Sequence, residues 1–330
     1  MRVIFFERAP SRGRHSLERV FEIVRSALPA ATQSNVFRVP SPRARPWDLA
    51  YNTLRACKVR GDINHITGDI HYVALGLDPA KTVLTIHDCC HLANFSGVKR
   101  WIMEKLWYEK PVELSRVVTT ISSWTAQELC RLVPSAKGKI RVIHNPVPAE
   151  YHYAPKRFNH RNPVLLQVGT RRPNKNLDRV AQAIKGIPCT LDIVGPLDEV
   201  QRKGLIELGI SFRNYVHISA AEVQARYIAA DAVLFVSTFE GFGMPIAEAQ
   251  AIGRPVITST VASMPEVAGE GACLVDPFDV EAIRTAVLRV LHDGQYRNQL
   301  VEQGLENVKR FTPEGIAQQY YELYSEICGQ

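Results

Sequence analysis

Residues 232–258 read AVLFVSTFEGFGMPIAEAQAIGRPVIT, and this stretch decides the fold class. The apolar runs Val233–Val236 and Pro255–Thr258 predict two strands that are buried on both faces. Between them a glycine-containing turn leads to Pro245, a residue type that suits the first position of a helix. Strand, helix and strand in this order predict a parallel sheet covered by helices.

The same alternation of short apolar runs and amphipathic segments occurs in both halves of the 330-residue chain. Further strands are predicted at Val3–Phe6, Val83–Ile86, Val117–Ile121, Ile140–Ile143, Val164–Val168 and Thr190–Val194. Helices are predicted at Ser16–Leu28, Thr125–Leu132, Leu177–Ile184, Ala221–Ala229, Val280–His292 and Glu314–Ile327. We therefore expect an α/β protein with two parallel sheets.

A proline-rich stretch between Asn145 and Pro163 has no clear hydrophobic period and predicts an interdomain linker. We expect an N-terminal Rossmann-like domain over residues 1–147, a linker over 148–162 and a second Rossmann-like domain over 163–312. The C-terminal helix, residues 313–330, is expected to pack back on the first domain.

Composition excludes several classes of protein. Hydrophobic residues make up 46% and charged residues 22%, which is typical of a globular chain and not of a disordered or fibrous one. The seven cysteines are odd in number and contain no C-x-x-C pair, which favours a reduced compartment over disulfides or a zinc site. The first apolar run meets charge at Glu7, and no run of about 18 apolar residues follows. We expect a cytoplasmic protein.

The charge is uneven, with 22 Lys and Arg against 13 Asp and Glu in residues 1–150. A basic half could contact the inner face of a membrane or an anionic acceptor, or it could only aid solubility. No module typical of nucleic-acid binding is present, so no nucleic-acid partner is expected. Basic and aromatic residues interleave over Lys99–Lys110, which fits either an interfacial membrane helix or a helix that packs Trp101 and Leu106 on the core. The second interpretation is favoured because the apolar stripe is interrupted.

The loop Gly169–Leu177 follows a predicted strand and opens a helix, the place where ligands bind in open parallel sheets. Gly169 permits a tight turn, and Lys175 with free amides at the helix start suits a phosphate group. The alternative is a plain connection in which Asn174 or Asn176 caps the helix.

Two carboxylates frame the glycine-rich turn in Ser237–Ala249. Glu240 lies in the predicted loop and Glu248 in the first turns of the helix. Both could accept hydrogen bonds from vicinal hydroxyls, while the amides after Gly243 face an anion. A single carboxylate here is commonly only a helix cap, so the pair is the informative feature.

Glu240 and Glu248 form an E-x7-E pattern that resembles the donor-site signature of the family 4 retaining glycosyltransferases. The Gly169–Leu177 loop resembles that family's phosphate motif, and segments at His87 and Asn145 resemble further family positions. The resemblance is strong over residues 160–312, weaker over 80–147 and thin over 1–80. It implies the GT-B architecture, in which two Rossmann-like parallel-sheet domains face a central cleft, with residues 1–147 as the acceptor domain and residues 163–312 as the nucleotide-sugar donor domain.

The resemblance also implies roles for single residues. Glu248 would hold ribose hydroxyls, Glu240 the donor sugar and Lys175 the diphosphate. The candidate catalytic residues are Lys175, Glu240, His87, Arg171 and Arg172. The candidate donor-binding residues are Glu248, Gly243, Met244, Gly241, Phe242, Gly169, Thr170 and Gly13.

Two positions keep alternatives open. His87 follows a predicted strand, so it either faces the donor sugar or is a buried histidine satisfied by the backbone. Asn174 stands where the family usually has the arginine before the phosphate-binding lysine. Arg171 or Arg172 would then supply that charge, and altered activity is the alternative.

The function that the resemblance implies is transfer of a hexose from GDP-mannose or a UDP-sugar to a glycan or lipid-linked acceptor in cell-surface polysaccharide synthesis, with retention of configuration. No D-x-D motif occurs at a suitable place, so we expect neither a metal nor a cofactor besides the sugar-nucleotide co-substrate. Two alternatives remain: a nucleotide-sugar epimerase or hydrolase of the same fold, or a degenerate paralogue that binds a sugar nucleotide without turnover.

Overall fold

The computed structural model describes residues 1–9, 16–90, 92, 95–170 and 172–329. The chain divides into two compact units. One is formed by Met1–Pro146 together with the C-terminal segment from Pro313, and the other by Val147–Thr312. Among the described residues, no helix is both long enough and apolar enough to cross a membrane.

The first unit is built on a parallel sheet that has six strands in the described part of the chain. Its strands are β1 (Arg2–Glu7), β2 (Gln33–Arg38), β3 (Ile63–Ile66), β4 (Thr82–Ile86), β5 (Val117–Thr120) and β6 (Ile140–Val142). Its helices include α1 (Ser16–Ala27), α2 (Pro46–Ala56), α3 (Gly97–Met103), α4 (Lys110–Glu113) and α5 (Ser123–Leu132). A π-helical stretch, Glu104–Glu109, joins α3 to α4, and a 3-10 helix spans His71–Gly76.

The second unit has the same plan, again with six described strands in a parallel sheet. Its strands are β7 (Val164–Val168), β8 (Thr190–Val194), β9 (Phe212–Tyr215), β10 (Ala232–Phe235), β11 (Val256–Ser259) and β12 (Ala272–Val275). Its helices are α6 (Leu177–Ile184), α7 (Glu199–Glu207), α8 (Ala220–Ala229), α9 (Met244–Ile252), α10 (Met264–Ala268), α11 (Val280–His292) and α12 (Gly294–Asn307). The last helix, α13 (Pro313–Cys328), belongs to the first unit.

The order of the strands shows where each sheet can bind a ligand. The second sheet runs β12-β11-β10-β7-β8-β9, so the chain winds one way from β7 to β9 and the other way from β10 to β12. β7 and β10 are neighbours, and the loops after them begin at the topological switch point. Ligands of doubly wound sheets bind in the crevice that opens there, beyond the carboxyl ends of the strands. In the first sheet, ordered β2-β1-β3-β4-β5-β6, the corresponding point lies between β1 and β3.

A buried carboxylate anchors the start of the second sheet. Asp231 lies directly before β10 and accepts hydrogen bonds from the amides of Val164 at 2.8 Å and Asn159 at 3.0 Å. It also pairs with Lys156. Because its carboxylate is fully buried, these partners offset the cost of removing the charge from water.

The C-terminal helix α13 packs against α1 and covers a polar group in the first sheet. His65 of β3 is fully buried, with Nδ1 2.6 Å from Tyr324 Oη and Nε2 2.7 Å from Thr85 Oγ1. Burial lowers the pKa of His65 to about 3, so its imidazole is neutral in the folded protein. The network joins α13 to the centre of the sheet.

The two parallel sheets confirm the predicted fold class. Four strands were not predicted, namely β2, β3, β9 and β12. β2 and β9 are edge strands with polar, exposed positions, so they lack a continuous apolar run, whereas the edge strand β12 is apolar but only four residues long. β3 is fully buried but carries Asn64 and His65, which interrupt its apolar pattern.

The expectation that Trp101 packs on the core is wrong, because its side chain is 59% exposed. Leu106 is half-buried, in the π-helical stretch that follows α3.

Candidate functional site

The loop after β7 turns sharply at Gly169, whose φ of +89° lies in the left-handed region that favours glycine. A Cβ at this position would lie 3.0 Å from Cε of Lys175, because the lysine side chain passes over the glycine. Gln167 Nε2 donates to the carbonyl of Lys175 at 3.0 Å and holds the returning chain. The absence of a side chain at Gly169 therefore leaves room for Lys175.

Asn176 ends this turn in a left-handed conformation, with φ of +57°, directly before α6. Its buried amide donates to the carbonyls of Val236 at 3.0 Å and Pro277 at 2.7 Å, which lie in two other loops. Its side chain makes no capping hydrogen bond to α6. Asn176 therefore occupies the N-cap position of α6, as one alternative had it, but its side chain joins three loops at the switch point and does not cap the helix.

The loop after β10 is held against the loop after β7 by direct hydrogen bonds. The Thr238 amide donates to the carbonyl of Asn174 at 2.8 Å, and Asn174 Nδ2 donates to the carbonyl of Phe239 at 2.7 Å. Asn174 Nδ2 also lies 3.3 Å from Glu240 Oε1. Where the family usually has an arginine, this chain thus has an amide that fixes the second loop.

Lys175 and Glu240 meet between these loops. Lys175 Nζ donates to Glu240 Oε1 at 2.6 Å, and the ammonium lies 4.8 Å from the centroid of the Phe235 ring. The two charged side chains are only 20% and 17% exposed, so water screens the pair less than at an open surface. The structure thus brings together two of the candidate catalytic residues, which are 65 positions apart in the sequence.

A serine fixes the turn that follows Glu240. Ser263 Oγ lies 2.9 Å from the carbonyl oxygen of Glu240 and 2.8 Å from that of Phe242, and it is fully buried. The Phe242 ring packs edge-on against Phe311, with centroids 5.5 Å apart. The candidate residues Glu240, Gly241 and Phe242 therefore lie in a turn whose backbone is held from outside.

Helix α9 starts from this turn. Gly243 occupies the position before the helix with φ of +101°, and a Cβ there would lie 3.1 Å from Ile246 Cδ1 and 3.3 Å from Phe235 Cε1. Met244 and Pro245 form the first helical positions. Pro245 has no N–H, and the Ile246 N–H donates to the Gly243 carbonyl at 2.9 Å, so this end of α9 offers an anion the Met244 N–H and the positive end of the helix dipole.

Glu248 lies on α9 and has a buried partner. Tyr227 Oη of α8 donates to Glu248 Oε2 at 2.7 Å. Burial, together with the adjacent Glu248 charge, raises the pKa of Tyr227 well above its usual value, so the phenol remains a donor. Arg254 Nε donates to the Tyr227 carbonyl at 3.1 Å and fixes the end of α8.

The other candidates in this loop differ in their surroundings. Thr170 is buried, and its hydroxyl donates to the carbonyl of Pro196 at 2.5 Å. Arg172 is exposed. Arg171 and Gly13 lie outside the described residues. Within the described ranges, no three His, Cys, Asp or Glu side chains cluster in a way that could hold a metal ion.

His87 lies in the first unit, directly after β4. Its Nε2 donates to the carbonyl of Thr67 at 2.9 Å, whereas Nδ1 is buried and has no hydrogen-bond partner among the described residues. Burial lowers the pKa of His87, so the neutral ring presents a lone pair at Nδ1. The alternative in which the backbone satisfies the hydrogen bonds of His87 therefore holds for Nε2 but not for Nδ1.

Sequence reasoning missed the partners that hold the site residues. Asn174 and Asn176 were visible in the sequence, as a departure and a candidate cap, but their contacts are with distant loops. Tyr227 had no local signal, because its hydroxyl acts on a different helix.

Two family models together match residues 1–307. The model described as Glycosyltransferase Family 4 matches residues 1–151, and the model described as Glycosyl transferases group 1 matches residues 151–307. Among curated proteins, the chain is 29% identical to O-antigen chain mannosyltransferase B of Escherichia coli, over 87% of this chain and 78% of that protein. It is 25% identical to MMP alpha-(1->4)-mannosyltransferase of Mycolicibacterium hassiacum, over 68% of this chain and 61% of that protein.

Solved structures of low sequence identity share the fold. Sucrose-phosphate synthase from Thermosynechococcus elongatus matches with a TM-score of 0.79 at 19% identity, covering 99% of this chain and 98% of that one. Anabaena HepE in complex with UDP and glucose matches with a TM-score of 0.77 at 17% identity, covering 99% and 100%.

Proposed function

Because the chain belongs to the family 4 glycosyltransferases with the GT-B fold, we propose that it is a retaining mannosyltransferase of cell-surface polysaccharide synthesis. In this proposal the donor is GDP-mannose and the acceptor is a glycan or a lipid-linked glycan. Mannose is supported by the names of two relatives, O-antigen chain mannosyltransferase B and MMP alpha-(1->4)-mannosyltransferase, which are both mannosyltransferases.

The observation that carries the proposal is the meeting of Lys175 with Glu240 at the switch point of the second sheet. A nucleotide-diphosphate sugar needs a cation for its phosphates and acceptors for its hydroxyls. Lys175 and the N-terminal end of α9, with the Met244 N–H, supply the positive charge, and Glu240 and Glu248 supply the acceptors. When the donor binds, its diphosphate replaces Glu240 as the partner of Lys175, and Glu240 accepts hydrogen bonds from the sugar hydroxyls instead.

Catalysis rests on stabilising the leaving group. The bond between the sugar C1 and the phosphate oxygen breaks, and its electron pair leaves with the nucleoside diphosphate. Lys175 and the Met244 N–H at the start of α9 are positioned to stabilise this growing negative charge, which lowers the barrier without reorganisation of solvent. The acceptor hydroxyl forms the new bond to C1 on the same face, and its proton passes to an oxygen of the departing phosphate.

Further side chains have subordinate roles in this proposal. His87 accepts a hydrogen bond from a substrate hydroxyl through Nδ1, since its Nε2 is already used by Thr67. Arg172 adds positive charge near the diphosphate, and the same role expected of Arg171 falls outside the described residues. Backbone groups of Gly169 and Gly241 approach the donor.

The proposal is tested with the purified full-length chain and a panel of GDP-mannose, UDP-glucose and UDP-N-acetylglucosamine. Thermal shift first selects the donor, because a ligand that binds only the folded state raises its stability. The selected donor is then incubated with mannose-terminated oligosaccharides and lipid-linked glycans, and products are identified by mass spectrometry and NMR. We expect a GDP-mannose-dependent product that carries a new α-mannosyl linkage.

Other products would contradict the proposal in distinguishable ways. A β-linked product would refute retention, and transfer from a UDP-sugar alone would refute the donor. Formation of free sugar or an epimer without transfer would identify a hydrolase or an epimerase of the same fold. Donor binding without turnover over the acceptor panel would favour the degenerate paralogue.

A further inference from the structure

The outer face of α2 exposes large apolar side chains to solvent. Trp47 is 65% exposed, Tyr51 50% and Leu54 63%. Their spacing of four and three residues places them on one face of the helix. Single exposed apolar residues are normal at a protein surface, but three in one row form an apolar patch of the kind that marks an interaction site for a protein, a ligand or a membrane.

A groove beside this row is apolar as well. It has a volume of about 350 Å³ and is lined by Leu49, Ala50, Thr53, Leu54, Tyr72, Leu75 and Leu106. The hydroxyls in its lining already have partners in the protein: Thr53 Oγ1 donates to the Leu49 carbonyl at 2.8 Å, and Tyr72 Oη accepts from Asn52 at 2.9 Å. The groove therefore offers hydrocarbon surface to an occupant.

Exposed cations precede and follow this apolar row in the sequence, with little acidic compensation. Residues 43–60 contain five exposed basic side chains, those of Arg43, Arg45, Arg55, Lys58 and Arg60. Asp48 is the one acidic residue in this range, and it accepts a hydrogen bond from Ser41. The Arg45 guanidinium lies 5.6 Å from the centroid of the Trp47 ring, so a cation and an aromatic ring share one edge of the patch.

The neighbouring segment, which the sequence singled out for its basic and aromatic residues, differs in charge. There Arg100 pairs with Glu104 at 2.9 Å, Lys105 with Glu109, and Lys110 with Glu113 at 2.6 Å. Three of the four cations over Lys99–Lys110 are thus neutralised within their own helix. The uncompensated positive charge lies instead with α2.

We propose that α2 and the adjoining groove dock on an anionic lipid bilayer. Trp47, Tyr51 and Leu54 enter the headgroup layer, and the five cations contact lipid phosphates. Both contributions are needed, because a short apolar row or a small cationic cluster alone holds a protein only weakly at a membrane. The proposal goes beyond donor chemistry and stands whether or not the donor is GDP-mannose.

The test is sedimentation of the full chain with vesicles of phosphatidylcholine, with or without phosphatidylglycerol. We expect binding to the anionic vesicles that weakens as salt is raised. W47S/Y51S/L54S should abolish most of it, and R43Q/R45Q should weaken it by about fivefold per cation. V200S/I206S, which changes exposed apolar residues of α7, is the matched control and should bind as wild type does.

Equal binding to both kinds of vesicle, or wild-type binding by W47S/Y51S/L54S, would overturn the proposal. Light scattering addresses the competing occupant, a second copy of the chain. A wild-type dimer that W47S/Y51S/L54S converts to a monomer would assign this face to self-association and would likewise overturn it. Unfolding midpoints should match wild type, since all three positions are exposed.

A second inference concerns the donor site and rests on the proposed function. We infer that Tyr227 is a positioning residue for Glu248. Its phenol donates to Oε2 at 2.7 Å, and its ring is fully buried against Tyr151, with centroids 5.7 Å apart at 76°. A donor held this firmly fixes the rotation of the carboxylate, and so directs it towards the hydroxyls of the donor.

Steady-state kinetics of Y227F test this second inference. Loss of a hydrogen bond to a charged group should raise the donor KM about tenfold or more while kcat stays near wild type. Y215F, which removes a phenol hydrogen-bonded to Arg226 of the same helix, is the control and should leave KM unchanged. If E248A leaves KM unchanged, the proposed role of Glu248 fails. If E248A raises KM and Y227F does not, only the role of Tyr227 fails.

Discussion

Replacement of Lys175 with methionine should remove most of the transferase activity and leave the fold intact. Methionine keeps a long apolar stem over Gly169 and beside Phe235, so the local packing changes little. It removes the ammonium that lies 2.6 Å from Glu240 and that we propose for the leaving diphosphate. The variant thus separates the charge of Lys175 from its volume.

The expected magnitudes come from two separate effects. Loss of one preorganised group that stabilises transition-state charge costs about 10²–10³ in kcat, or roughly 2.7–4 kcal/mol. Glu240 keeps a contact with Asn174 Nδ2 at 3.3 Å and is partly open to solvent. Loss of the hydrogen bond to a charged group should therefore cost roughly 1–3 kcal/mol of folding free energy. A domain of ordinary stability, about 5–15 kcal/mol, remains folded after such a loss.

The assay measures initial rates of nucleoside-diphosphate release at saturating donor and acceptor, with urea unfolding of the same preparations. K203M is the matched control, because Lys203 is an exposed lysine of α7 in the same unit. We expect K203M to have wild-type kcat. A kcat of K175M that equals that of K203M would refute the role of Lys175 at the diphosphate.

Three further predictions follow from single contacts. G243A should lower the free energy of unfolding by roughly 1–3 kcal/mol and raise the donor KM, because φ of +101° disfavours a side chain and a Cβ would crowd Ile246. Urea unfolding checks the loss of stability, and steady-state kinetics check the KM. D231A should lower the free energy of unfolding by about 3–5 kcal/mol, because it leaves the buried partners of the carboxylate unpaired. An unfolding free energy equal to that of wild type in urea would contradict this. The folded pKa of His65, about 3, lies below its unfolded value, so the unfolded state binds more protons between pH 6.5 and 3. Stability from this group is complete above pH 6.5 and falls by up to about 1.4 kcal/mol per pH unit below it, a slope that H65Q should lose in urea titrations.

The sequence predicted those parts of the fold in which local pattern and tertiary burial agree. The bounds of β7, α6 and α11 match the predicted segments because β7 carries a near-continuous apolar run and the two helices carry a regular helical period of apolar residues. The edge strand β2 alternates between exposed and half-buried residues, and its pairing with β1 is decided by the rest of the sheet. Such a strand has no strong local signal.

The candidate site likewise contains some residues whose position the local sequence predicts and others whose contacts depend on tertiary packing. Gly243 and Pro245 have a local signal, because a helix that starts from a turn needs these residue types at these positions. The contact between Lys175 and Glu240 depends on β7 and β10 being neighbours in the sheet, which local periodicity does not state. The contact of Tyr227 with Glu248 is likewise a product of how α8 and α9 pack.

The central claim is that the loops after β7 and β10 bind one nucleotide-diphosphate sugar. Hydrogen exchange of the full chain, with and without the donor selected by thermal shift, tests it most directly. The account predicts slower exchange of amides in peptides that cover residues 169–176 and 237–248. Slowed exchange confined to other peptides, with these two loops unchanged at saturating donor, would contradict it.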